Sequence, residues 1–225
     1  MTLALRARTP KDAPLTIAIA DYGMGNLGSV RHALEFLGHR AVATADPEAI
    51  ASADAIVLPG VGAFAVAMDN LRRRGLDSAL SKAVLERQAP CLGICLGMQL
   101  MAAEGTENGV HPGLGWIEGR VIRLEGRDDV RVPHVGWAAV TRHDDALFAG
   151  AEPDSAFYFD HSYHLDCPDS LVAARCAGAF DCVAAIRRGN LFATQFHPEK
   201  SQRAGLRLLR AFTDYALGLR DRAAA

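Results

Sequence analysis

Gly93-Ile94-Cys95-Leu96-Gly97-Met98-Gln99 sets a thiol between glycines at minus two and plus two. That frame predicts a sharp strand-to-helix turn, whose strained backbone presents the central side chain outward and admits only small neighbours on either side. A cysteine held there is a nucleophile, and the N-terminal end of the following helix favours its thiolate. Far downstream, Phe196-His197-Pro198-Glu199-Lys200-Ser201 supplies an imidazole and a carboxylate two residues apart. The carboxylate orients the imidazole and stabilises its cationic form. Together the two segments spell nucleophilic catalysis by Cys95, His197 and Glu199. Cys91 lies in the same apolar run without a glycine frame, and reads as a buried, inert cysteine.

Attack on an amide leaves an oxyanion that needs two donors. The N–H of Leu96, next to the nucleophile, is one. The turn Pro59-Gly60-Val61-Gly62 can supply the other through Val61. Its two glycines permit a peptide flip, and equally permit a turn that only caps a strand and starts a helix.

The elements around these segments must bring them to one rim. Residues 15–20, 40–44 and 55–58 read as strands, and 26–37 and 47–53 as helices. Residues 63–88 hold one or two amphipathic helices. The Cys91 strand follows, then a helix-like stretch over 98–103. Strands apolar throughout and alternating with helices predict an α/β fold of three layers, α/β/α, around a mostly parallel open sheet. After Gly105 the texture changes. Residues 116–124, 137–141, 156–164, 171–177, 180–187 and 191–196 read as strands, with Arg188-Gly189-Asn190 a turn, adding antiparallel strands in the C-terminal half. Residues 202–219 close the chain as an amphipathic helix. Pro198 ends the last strand, which places His197 and Glu199 in the rim loop at the carboxyl end of the sheet. Cys95 is at such an end too, where ligands bind in open α/β sheets.

Bulk properties narrow the classes. The 225 residues suffice for one domain with a well-buried core, expected over 14–219 after a short disordered leader, 1–13. That leader carries Arg6, Arg8 and Lys11 but lacks the apolar core of a signal peptide. A formal net charge of −2 gives no reason to expect nucleic acid or an anionic membrane as partner. No apolar run approaches a membrane span. Five cysteines, an odd number without C-x-x-C spacing, argue against a disulfide framework and a structural zinc site, and fit a reducing cytoplasm.

The paired G-x-C-x-G-x-Q and H-P-E motifs resemble those of the class I (triad) glutamine amidotransferases. Further segments narrow the resemblance: Asp21-Tyr22-Gly23-Met24-Gly25-Asn26, Pro59-Gly60-Val61-Gly62-Ala63-Phe64, Pro133-His134-Val135-Gly136-Trp137 and Phe157-Tyr158-Phe159-Asp160-His161-Ser162-Tyr163-His164, in this order. That series is similar to the glutaminase subunits of imidazole glycerol phosphate synthase, from about Thr16 to Phe212. The resemblance implies glutamine hydrolysis through a γ-glutamyl thioester on Cys95, without a cofactor. It places Gly62, Gln99, His161, Ser162 and Tyr163 around the bound glutamine. It implies that ammonia passes to a (β/α)8 cyclase subunit of histidine biosynthesis, with Asn26, Trp137, Tyr158 and Lys200 at the subunit junction. Three positions depart from the pattern. Asp160 replaces an expected apolar residue, Ala138 follows Trp137 in place of asparagine, and Ala211 precedes Phe212 in place of another. None belongs to the triad.

Rival readings exist. Gly23-Met24-Gly25-Asn26-Leu27-Gly28 is a literal G-x-G-x-x-G with Asp46 beyond it, as in dinucleotide sites. Asp21 at its mouth would repel pyrophosphate, and Tyr22 and Met24 are bulky where backbone must approach phosphate. The bland alternative is a tight β–α turn. His161 and His164 with His134 suggest a metal, but residues three apart on a strand point away from each other, and nothing completes a tetrahedral set. Lys200 and the Arg72-Arg73-Arg74 cluster have solvated-surface readings, and Trp137 a core reading in which its indole N–H needs a partner. Two functional alternatives remain: an assembly subunit with a dead site, against which an intact triad argues, and another class I glutaminase, such as that of pyridoxal phosphate synthesis. The segments around Trp137 and Tyr158 favour the imidazole pathway.

Overall fold

Parallel pairing organises the half of the molecule that holds both motifs. The computed structural model describes residues 13–126, 131–143, 145–152, 155–178 and 180–223; the expected leader lies outside the described residues except for Ala13. In chain order the first half runs β1 (Thr16–Ala20), α1 (Leu27–Phe36), β2 (Arg40–Thr44), α2 (Pro47–Ser52), β3 (Ala55–Gly60), α3 (Phe64–Arg73), α4 (Leu76–Ser81), β4 (Cys91–Cys95) and α5 (Leu96–Leu100). The helix α4 continues as a π-helical turn over Lys82–Glu86. The second half runs β5 (Glu104–Gly105), β6 (His111–Pro112), β7 (Arg120–Arg123), β8 (His134–Arg142), β9 (Ala156–His161), β10 (Tyr163–Asp166), β11 (Val172–Cys176), β12 (Val183–Arg188), β13 (Leu191–Thr194) and α6 (Gln202–Ala223).

A nine-stranded sheet has the order β2-β1-β3-β4-β13-β12-β11-β8-β9. Its first five strands are mutually parallel, and the other four join antiparallel. Successive residues of the parallel strands feed opposite cores, as the pleat requires. Ile17, Ile19, Val57 and Leu92 meet α1 and α6 on one face through Val30, Leu34, Leu208 and Phe212. Ala18, Ile56, Leu58 and Ala193 meet α2 to α5 on the other, through Ile50, Met68, Leu80 and Met98. That burial is why these strands read as continuously apolar. Register brings the two motifs to one rim: Gly60, the last residue of β3, lies opposite Cys95, the last of β4, and β13 flanks β4 on its other side.

Three expectations change. The helix after Cys95 begins at once, at Leu96, and ends at Leu100 rather than filling 98–103. The loop beyond it takes the carbonyls that a longer helix would use: Leu114 N–H donates to Leu100 O at 2.8 Å, Gly115 N–H to Ala102 O at 3.0 Å and Gly113 N–H to Ala103 O at 2.8 Å. Residues 116–124 form a strand only over Arg120–Arg123. Trp116 is instead buried and donates its indole N–H to Ser81 Oγ at 2.9 Å. Residues 156–164 are not one strand. They break at Ser162 into β9, the edge of the large sheet, and β10, part of a second sheet ordered β10-β7-β5-β6.

Candidate active site

Cys95 has φ +54° and ψ −111°, a left-handed conformation that a residue with a Cβ rarely adopts. The glycine frame makes this turn possible. A Cβ at Gly97 would run into the Leu58 carbonyl, and one at Gly93 would lie 2.8 Å from Met101 Cε and 2.9 Å from Gly97 O. Leu96 is the first residue of α5, so its N–H is among those a helix leaves unpaired, directly beside the thiol.

His197 follows β13 and Glu199 lies in the 3₁₀ turn Pro198–Lys200 that Pro198 begins. Their side chains are 2% and 1% exposed, and His197 Nδ1 lies 2.9 Å from Glu199 Oε1. With Nδ1 donating to the carboxylate, Nε2 is left for the thiol. Burial pulls the imidazole pKa down, but the hydrogen bonds and charges of Cys95 and Glu199 outweigh it and raise the pKa to about 9. Three further groups meet the nucleophile or its base. Gln195 Nε2 donates to Cys95 Sγ at 3.6 Å. Cys95 Sγ donates to the Asp160 carbonyl at 3.8 Å. The Tyr158 carbonyl accepts from His197 N–H at 2.9 Å. The last contact is an isolated antiparallel bridge that brings the edge strand β9 back onto the rim.

Residues expected around glutamine gather here, several already engaged. Gln99 uses both amide hydrogens, on Tyr163 O at 2.8 Å and Gln195 Oε1 at 3.0 Å, leaving its own Oε1 to offer. His161 donates from Nδ1 to Tyr163 O at 2.9 Å, so its Nε2 accepts from His134 Nδ1 at 3.1 Å. Burial, above all, lowers the His161 pKa to about 3, so the ring is neutral. Ser162 is the break between β9 and β10. Gly62 has φ +101°, and a Cβ there would stand 2.7 Å from Met24 Cε.

The turn Pro59-Gly60-Val61-Gly62, expected to serve the oxyanion, is braced from below. Tyr22 is fully buried and donates its hydroxyl to Pro59 O at 2.7 Å. Val61, the next donor along, is 42% exposed at the mouth. In the G-x-G-x-x-G segment the first glycine amide is held by the chain's own aspartate, an acidic group where a pyrophosphate would need a donor. Asp21 Oδ1 accepts from Gly23 N–H at 3.0 Å, and Arg74 donates to Asp21 O at 2.9 Å. Asp46 caps α2 through the Glu48 N–H at 3.0 Å. Arg74 is exposed at the end of α3, as its solvated reading expects, and holds the Asp21 turn as well. Among the described residues no group of three His, Cys, Asp or Glu is arranged to hold a metal ion. Of the junction residues, Asn26 caps α1 through the Ser29 N–H, Trp137 is 50% exposed, and Lys200 Nζ lies 5.4 Å above the Tyr158 ring.

Sequence reading missed Gln195 and the Asp160 carbonyl. Gln195 had a signal, since with Thr194 it interrupts an otherwise apolar buried run, two positions before His197. The carbonyl had none, because the curl of the sheet creates that contact.

The family model for class I glutamine amidotransferases matches residues 18–214. The imidazole glycerol phosphate synthase subunit HisH of Symbiobacterium thermophilum is 51% identical over 195 residues, which cover 86% of this chain and 91% of that one. That of Rhodopirellula baltica is 47% identical over 197 residues, 87% of this chain and 96% of the relative. Among solved structures, a glutamine amidotransferase has a TM-score of 0.70 at 22% identity, covering 88% of this chain and 98% of that chain. PurLQS from Thermotoga maritima has a TM-score of 0.69 at 20% identity, covering 90% and 99%. These two likenesses concern the fold; the sequence matches assign the family, and the chain belongs to the class I glutamine amidotransferases, in the group of the imidazole glycerol phosphate synthase subunits HisH.

Proposed function

We propose that this chain hydrolyses glutamine to glutamate and ammonia and delivers the ammonia to a (β/α)8 cyclase subunit that makes imidazole glycerol phosphate in histidine biosynthesis. The observation that carries the chemistry is the strained Cys95 set beside a buried His197–Glu199 pair. In this reading His197 takes the Cys95 thiol proton as Sγ attacks the side-chain amide carbon, and the oxyanion is held by the N–H groups of Leu96 and Val61. His197 gives its proton to the departing ammonia, which leaves a γ-glutamyl thioester. The same imidazole then takes a proton from water, whose oxygen attacks the thioester, and Cys95 is released with glutamate. Glu199 orients the ring and balances its charge. Gly62, Gln99, His161, Ser162 and Tyr163 shape the glutamine pocket, His161 through the β9–β10 corner rather than as a charged group. The relatives named as imidazole glycerol phosphate synthase subunits support the choice of acceptor.

A dry passage to the partner suits the product. Ammonia is mostly ammonium in neutral water, and ammonium is not a nucleophile; direct transfer keeps the neutral form and its effective concentration high. Five cysteines without a disulfide among them fit the cytoplasm as the site of action, and no described helix is long and apolar enough to cross a membrane.

Labelling with a glutamine-like electrophile, read by peptide mass, tests the nucleophile. Modification is expected at Cys95 and lost in Cys95→Ser. Cys91 is fully buried, its thiol pKa pushed up by desolvation, so Cys91→Ser should change mainly stability. Label on Cys91 in preference to Cys95 would refute the assignment.

A further inference from the structure

The two faces of β9 have different duties. Phe157, Phe159 and His161 point into the core, while Tyr158 and Asp160 point outward. Opposite them on β8 stand Trp137, paired with Tyr158, and Val135, paired with Asp160. Trp137 and Val135 are 50% and 55% exposed, and the Trp137 and Tyr158 rings meet edge to face at 6.1 Å. An exposed aromatic and aliphatic platform of this kind has the composition of an interface centre.

Asp160 is the exception on it. Its carboxylate is exposed, and among the described residues no cation lies within ion-pair range. Lys200, the cation on this face, sits over the Tyr158 ring instead. The backbone of the same strand touches the triad, Asp160 O at Cys95 Sγ and Tyr158 O at the His197 N–H. The platform is therefore the outer side of the wall that lines the nucleophile. A protein that took ammonia from Cys95 by closing over this rim would carry Asp160 out of water. A carboxylate buried without a counter-charge is strongly unfavourable.

We propose that Asp160 is an electrostatic anchor of the docking face, and that the partner is an ammonia-accepting subunit presenting a lysine or arginine to it. The inference rests on the amidotransferase reading above and adds the chemistry of one contact. It also accounts for an acidic residue where the resemblance led us to expect an apolar one: the charge matches this chain to its own partner and against subunits that lack the cation.

Association of the full chain with the cyclase subunit of the same organism, followed by titration calorimetry at low and high salt, tests the anchor. Wild type should bind and weaken as salt rises. Asp160→Asn should bind on the order of tenfold more weakly at low salt, with a shallower salt dependence. Asp160→Lys should lose more, and Asp160→Glu should keep most of the affinity. Thermal melts of each variant show whether it folds; an exposed side chain predicts that all do. Wild type binding with Asp160→Asn equal to it in affinity and salt dependence overturns the anchor alone. Failure of wild type to bind the cyclase overturns the anchor and the partner reading together.

Discussion

At Cys95 the backbone accepts strain so that the side chain reaches the rim, and the groups around it divide the remaining work. In the proposed mechanism His197 moves protons, and Glu199, 2.9 Å away, only holds and polarises it. His197→Asn should therefore lower the rate of thioester formation by about 10²–10⁴, and Glu199→Gln by distinctly less, in single-turnover acylation measured beside steady-state rates. Equal activity of the His197 variant and wild type would remove the triad assignment. Two of the shifted histidines, His197 and His161, set opposite pH limbs of stability. His197, raised to about 9 from an ordinary 6.5, binds more protons folded than unfolded between those values, so its contribution is full below about 6.5 and is lost as pH rises through about 9. His161, lowered to about 3, binds fewer protons folded, so its contribution is full above about 6.5 and is lost as pH falls toward 3. Melting temperature scanned from about pH 4 to about pH 9.5 should show the acid limb flattened in His161→Asn and the alkaline limb flattened in His197→Asn. Unchanged limbs in both variants would mean that neither ring carries the assigned charge.

At the scale of elements, the turn between β4 and α5 depends on close contact with β3. Gly97 packs its Cα hydrogens against the Leu58 carbonyl, with no space for a methyl group. Gly97→Ala should cost about 2–3 kcal/mol in urea unfolding and displace the Leu96 N–H from the oxyanion position; wild-type stability with wild-type turnover would show that the turn relaxes freely. This turn was legible in sequence because the whole device is local: glycine, nucleophile and glycine within five residues. His197-Pro198-Glu199 is local in the same way, and the continuous apolar strands announced the parallel core. The second half was less legible. Residues 156–164 read as one strand because nothing in their polarity marks Ser162, where the chain leaves the large sheet for the small one. Trp116 reads as a strand residue by propensity, yet its position is set by Ser81 and by the carbonyls at the end of α5. The His134–His161 hydrogen bond depends on antiparallel register between β8 and β9, which pairs them directly across the sheet. Sequence reading weighed these histidines as metal ligands and set that aside, but did not anticipate that His134 and His161 serve each other.

Across the whole molecule, a parallel half supplies the nucleophile and an antiparallel half closes on it. The edge strand β9 returns to His197 with its inner carbonyls on the triad and its outer side chains toward solvent. The mouth of the oxyanion turn, at Val61, opens on the same rim. In the proposed reading one architecture joins hydrolysis to the presence of a partner, since a glutaminase without an acceptor would waste its substrate. The isolated chain should be a poor glutaminase, and a flip that aims the Val61 N–H at the developing oxyanion on docking is the proposed switch. One such donor is worth about 10²–10³ in rate. The direct test is glutamate release from glutamine by the chain by itself, with the cyclase present, and with the cyclase plus its ribotide ligand, each beside Cys95→Ser. The predicted result is low turnover by the isolated chain, a rise of about 10²–10³ with partner and ligand, and none in Cys95→Ser. Full turnover by the isolated chain, unchanged by either addition, or persistent turnover in Cys95→Ser, would contradict the account.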